Sequence, residues 1–192
     1  MTQATTLSEQ LHAQAAADEP LNFRQPPHNN DAEQALLGAS LINNEAMDRV
    51  VGFLEAHHFY EPIHQKIYEV AGKLIGAGKQ ATPITLRTFF ESDEPIEDDR
   101  TIPQYMVRLA AGATTILNAA DYGRTIYDLA TRRALISIGS DLVTVAYDSP
   151  VDAPPEAQIQ EAESRLYELA ENGKYGQGFM NFRDALSDAI NM

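Results

Sequence analysis

Between Asn118 and Tyr147 apolar residues recur at helical spacing: Tyr122, Ile126 and Leu129, then Leu135, Ile138, Leu142 and Val145. Ile136 and Val143 form a second row beside the first. No proline interrupts the run, and Gly123 and Gly139 are its only glycines. The pattern predicts one helix of roughly 45 Å, at about 1.5 Å per residue. Asp148-Ser149-Pro150-Val151-Asp152 breaks it, and Ala153-Pro154-Pro155 sets up a new start. From Pro155 to Glu171 a single stripe returns, formed by Ile159, Ala162, Leu166 and Leu169. The two segments predict an antiparallel helical hairpin over residues 116–171. The shorter arm has one apolar stripe and the longer arm two, so one row is left for another partner. A second copy of the chain is the obvious candidate.

Upstream, residues 28–115 predict a head of about five short helices. Asn30 is the expected N-cap of the first, with Glu33 three residues on as its capping-box partner. Ala35, Leu36, Ala39 and Ile42 are its expected buried face. Asn43-Asn44 ends that helix and caps the next, which points Met47, Val50, Val51 and Leu54 inward. Phe59 and Tyr60 read as core aromatics at a bend. Pro62 opens a helix with Ile63, Ile67, Val70, Ala71 and Leu74 facing inward, closed by Gly76-Ala77-Gly78. Thr82-Pro83 starts a fourth helix, with Ile84, Leu86, Phe89 and Phe90 as candidates for burial. The acidic stretch Glu91 to Arg100 reads as an exposed loop. Thr101 to Gly112 is a fifth helix carrying Tyr105, Met106 and Leu109. No run alternates in the manner of a strand, so the expected fold class is all-α.

The ends differ in character. Residues 1–27 lack apolar periodicity and read as a disordered tail. Residues 172–178 place three glycines close together and read as a flexible joint. From Phe179 to Met192 a further amphipathic helix begins, with Phe182, Leu186 and Ile190 on one face. A terminal stub of that kind cannot bury its own face. It either folds back on the hairpin or docks on a domain beyond the last residue.

Composition narrows the function classes. The 192-residue chain has no cysteine, which excludes disulfides, thiolate nucleophiles and Cys-bound zinc, and fits a cytoplasmic protein. Its formal net charge of −14 argues against strong direct binding of nucleic acid or of an anionic membrane surface. Arg132-Arg133 is the best candidate for a local basic patch. Gly72 to Gln80 superficially looks like a phosphate-binding loop. Lys73 stands where the pattern needs its first glycine and Gln80 where it needs Ser or Thr, so a helix C-terminus is the better account. His57, His58, Glu61 and His64 lie close together but match no metal-ligand spacing, and read as ordinary surface or half-buried residues. Asp98-Asp99 and their neighbours lack the spacing of a calcium loop. No catalytic constellation, cofactor site or metal site emerges.

The run Pro27-His28-Asn29-Asn30-Asp31-Ala32-Glu33-Gln34-Ala35-Leu36-Leu37-Gly38-Ala39 resembles the opening of the N-terminal domain of DnaB-family replicative helicases. Phe59-Tyr60-Glu61-Pro62-Ile63-His64, Thr82-Pro83-Ile84-Thr85-Leu86, Tyr105 to Ala110 and Asn118 to Leu135 resemble later family segments in the same order. Phe179 to Ile190 resembles the start of the helix that links to the motor domain. The resemblance covers about Pro27 to Met192 and implies an amino-terminal collar that stops short of the RecA-like ATPase domain. ATP and magnesium would then belong to that absent domain, and the fragment itself would be no enzyme. The resemblance further implies self-association as dimers, arranged as a trimer of dimers in a hexamer, and docking of primase during DNA replication. A helicase loader is a further candidate partner. The expected self-association residues are Ile126, Leu129, Leu135, Ile136, Ile138, Leu142, Val143, Leu166 and Leu169. Phe179, Phe182, Leu186 and Ile190 are the expected docking face of the linker helix. The alternative reading is a stand-alone all-α adaptor that binds a partner protein.

Overall fold

A computed structural model of the protein describes residues 24–90, 101–113, 118–149 and 154–171. Seven α-helices occur among them and no strand: α1 (Asn30–Ile42), α2 (Glu45–Asp48), α3 (Pro62–Gly76), α4 (Pro83–Leu86), α5 (Ile102–Gly112), α6 (Ala119–Asp148) and α7 (residues 155–171). Short 3-10 turns at Ala56–His58 and Arg87–Phe89 join the head helices. The all-α expectation holds, as do a multi-helix head and the long helix.

The head is built around α1, which packs on α5, α6 and α3. Its burial runs nearly all the way round, through Leu36, Leu37, Ala39 and Leu41. A one-sided stripe therefore described it poorly: Ile42 is exposed, while Leu37 and Leu41 are core. The helix is capped one residue earlier than expected. The Asn29 side chain accepts from the Ala32 N–H at 2.9 Å, and Glu33 is turned into the core instead of back to the cap. Gly38 permits a close approach of α1 to α5, because a Cβ there would sit 2.3 Å from the Leu109 carbonyl oxygen.

Asn44 ties the next turn to a distant loop. Its side chain donates to the carbonyls of Ser40 and Ala81, each at 2.8 Å, and accepts from the Ala81 N–H at 2.9 Å. The helix that follows is a single turn, so its residues do not hold one face. Met47, Val50 and Leu54 are buried as expected, but Val51 points to solvent. The end of α3 is a Schellman turn: Gly78 has φ +72°, its N–H reaches Ile75 O, and the Lys79 N–H reaches Leu74 O. The stretch that looked like a phosphate loop is this helix stop. Thr82 caps α4 in a reciprocal arrangement with Thr85. That helix is also one turn long, so Leu86 and Phe90 are buried whereas Ile84 and Phe89 are exposed. Tyr105, Met106 and Leu109 of α5 close the core.

The long helix has two environments. Its first half packs into the head through Ala119, Ile126 and Ala130. Beyond Ile138 no residue of α6 is buried. From there α7 runs back beside it: Gln158 Nε2 donates to the Leu142 carbonyl at 2.8 Å, and Arg165 pairs with Asp141 at 2.7 Å. The expected joint at 172–178 and the acidic stretch 91–100 lie outside the described residues.

Candidate functional site

The hairpin presents the exposed apolar surface that its periodicity forecast. Leu135, Ile136, Leu142 and Val143 each keep between 40% and 56% of their surface exposed. Val145, Tyr147, Ile159, Leu166 and Tyr167 add to the same end of the molecule. Leu129 and Leu169 are half-buried. Ile138 is buried at the root of the hairpin. Ile126 belongs to the head core at 1% exposure, so it supports α6 from beneath and offers nothing to an outside partner. Phe179, Phe182, Leu186 and Ile190 lie outside the described residues. Between the arms runs a half-open cleft of about 430 Å³, floored by Ile138, Leu142, Val145 and Ala162.

At the foot of the hairpin lies a polar junction that sequence reasoning passed over. Arg133, noted only as part of a basic pair, is half-buried at the foot of the exposed segment. Its guanidinium donates to the Pro27 carbonyl at 2.8 Å and to the His58 carbonyl at 2.5 Å, and lies over the Tyr60 ring at 5.6 Å. Tyr60 stacks on His28 at 4.2 Å, and His58 meets Tyr127 of α6 edge-on at 4.9 Å. Burial, then the neighbouring His57 and Arg133, pushes the His58 imidazole down to about 4. The geometry agrees, since Nδ1 of His58 accepts the Glu55 N–H at 2.9 Å and needs its lone pair to do so. Arg24 to Pro27, expected in the tail, run along α6 here, so ordered packing reaches back ahead of His28.

A second polar cluster lies inside the head. Glu33 accepts from the N–H groups of Tyr60 at 2.6 Å and Glu61 at 3.4 Å, and faces Nδ1 of His64 at 2.6 Å. Nε2 of His64 is 2.7 Å from the Tyr105 hydroxyl. A carboxylate only accepts, so Nδ1 of His64 carries the proton shared with Glu33. His64 is therefore no surface histidine: with 1% exposure it ties α1, α3 and α5 together. No group of three or more metal-ligating side chains occurs among the described residues. No helix there is long and apolar enough to cross a membrane.

The model of the DnaB-like helicase N-terminal domain matches residues 25–128. The chain belongs to this family. Among curated relatives, the replicative DNA helicase DnaB of Rickettsia conorii is 42% identical over 164 residues, covering 85% of this chain and 33% of the relative. The chain thus spans about a third of the length of the curated relatives it matches. The solved N-terminal domain of DnaB helicase from Mycobacterium tuberculosis superposes with a TM-score of 0.66 at 27% identity, covering 75% of this chain and 99% of that one. A DnaB-like replicative helicase solved in a study of its interactions with primase gives a TM-score of 0.57 at 25% identity, covering 73% of this chain and 31% of that one. The family assignment agrees with the order of motifs from Pro27 onward.

Proposed function

We propose that this chain is the assembly collar of a hexameric replicative DNA helicase. Its hairpin pairs with the hairpin of a second copy, and the paired hairpins form the docking surface for primase at the replication fork. The supporting observation is the α6 surface on either side of Ile138, where Leu135, Ile136, Leu142 and Val143 stay exposed in one copy although their spacing is that of a buried face. Covering such rows gains roughly 25 cal/mol per Å², from which association costs are subtracted. Closed rings repeat such an interface by symmetry. In this reading ATP and magnesium act in a RecA-like domain outside these residues, and the DnaB-named relatives, about three times as long, are the model for that arrangement. A helicase loader is a further partner of the collar.

The test is sedimentation equilibrium of the chain, alone and with Leu142→Asp and Val143→Asp together. The expected result is concentration-dependent dimers for the unaltered chain and monomers with unchanged helical circular dichroism for the variant. A strict monomer at high concentration overturns the reading. Primase mixed with both proteins should bind only the unaltered one.

A further inference from the structure

The cleft between the two arms of the hairpin is a trough. On α6 its lining runs from Ile138 through Leu142 and Val145 to Ser149 at the helix end, and on α7 from Pro155 to Arg165. At about 1.5 Å per residue each wall is roughly 15 Å long, about three helical turns. Both walls are helices, whose backbone groups are bonded internally, so an extended segment finds no edge to pair with. A trough of this shape fits the apolar face of another helix. Leu142 and Val145 offer that face its anchors, being 40% and 48% exposed.

Charge around the trough selects the kind of helix. α7 carries five glutamates and one arginine, and the facing part of α6 adds Asp141 and Asp148. The arginine, Arg165, is taken up by Asp141 at 2.7 Å. Glu161, on the lining, has no cationic partner among the described residues. The other side of α6 differs: the groove that includes Ile136, Gly139 and Val143 is lined by Arg24 and by no acid. A second copy suits that face. Seated in the trough, it would bring a net charge of −14 against the glutamates. Residues 179–192 of the chain, with one arginine and two aspartates, bring no complement either.

We propose that the trough between α6 and α7 seats a basic amphipathic helix of a partner protein. Its apolar residues lie on Leu142 and Val145, and its lysines or arginines lie over Glu161 and the other acids of the rim. Burial of the apolar face supplies the affinity, while the rim charges steer the helix in and reject acidic competitors. This inference names the chemistry of the docked segment. It rests on the reading of the hairpin as a docking surface, but not on the pairing of two hairpins.

The probe is a fluorescent leucine–lysine amphipathic helix of about three turns, read by anisotropy against the full chain at a dilution where sedimentation shows monomer. It should bind, and the same helix with glutamate in place of lysine should not. Val145→Lys, in the trough, should weaken binding about tenfold, as for the loss of an anchor contact, and Glu161→Lys should weaken it too. Ser140→Lys adds the same charge on the other side of α6 and should leave binding unchanged. Equal weakening by Val145→Lys and Ser140→Lys overturns the proposal, because it reports general attraction to an acidic chain. Equal binding of the glutamate helix overturns it, and so does loss of self-association in Val145→Lys, which would make the trough the seat of a second copy. Since the probe meets monomer, a failure of hairpin pairing leaves the result standing. A probe that does not bind, while primase binds the unaltered chain, sinks this inference and keeps the docking reading.

Discussion

Glu33 and His64 lie 31 positions apart in sequence and 2.6 Å apart in space, both buried in the head. The pair joins the central helix to α3, and the Tyr105 hydroxyl extends it to α5. Glu33→Ala leaves the N–H groups of Tyr60 and Glu61 and the ring of His64 without their acceptor. Leaving one buried and two part-buried donors unpaired should cost about 2–4 kcal/mol. Urea unfolding of the variant checks it; a loss below about 0.5 kcal/mol would mean the cluster contributes little to stability.

Arg133→Lys tests the junction between head and hairpin. The guanidinium bonds two carbonyls at once and rests on an aromatic face, whereas an ammonium is a point charge that cannot reproduce the fork. The lysine variant should lose roughly 1–2 kcal/mol, and the amides near Pro27 and His58 should exchange faster. Equal stability and exchange in both proteins would show that the fork does not hold the junction.

Gly38→Ala should be among the costliest single-methyl changes in the head. The new Cβ would meet the Leu109 carbonyl at 2.3 Å, and a backbone oxygen within a helix cannot swing aside as a side chain can. Alanine normally favours a helix over glycine by about 1 kcal/mol, so a net loss of about 1–3 kcal/mol isolates the close approach of α1 and α5. A thermal melt at or above that of the unaltered protein would contradict it.

Helix-scale features were legible in the residues and single-turn features were not. The 30-residue α6 carries enough turns for its period to be unmistakable, and its hairpin partner follows from the prolines between them. Val51, Ile84 and Phe89 were misplaced because α2 and α4 are one turn each. Over four residues the helical period does not yet select a face. Glu33 and His64 were misread because buried ionisable residues are rare, and their pairing depends on tertiary proximity that local spacing cannot reveal. Arg133 was at least noticed as a charge, but its role depends on carbonyls 106 and 75 positions away. The exposed hairpin rows could be inferred from surplus alone: one returning stripe cannot cover two.

Acid should weaken the junction through His58. Its imidazole is pushed down to about 4 in the folded chain, first by burial, then by His57 and Arg133, against an ordinary value of 6.5. The unfolded chain therefore binds the proton more readily between those values. His58 contributes its stability in full above pH 6.5, loses it as pH falls towards 4, and changes nothing further below. The ring is only half-buried, so the swing should be on the order of 1 kcal/mol, well short of what the full shift would imply. His58→Gln removes the titration, and the stability difference between the two proteins isolates it from the other groups that titrate in the same range. That difference should tilt towards the variant as pH drops from 6.5 to 4, with the Glu55 N–H, which needs an unprotonated Nδ1, among the first protected amides to exchange. A pH-independent difference would show that His58 is not a titrating cap of the turn beneath the hairpin.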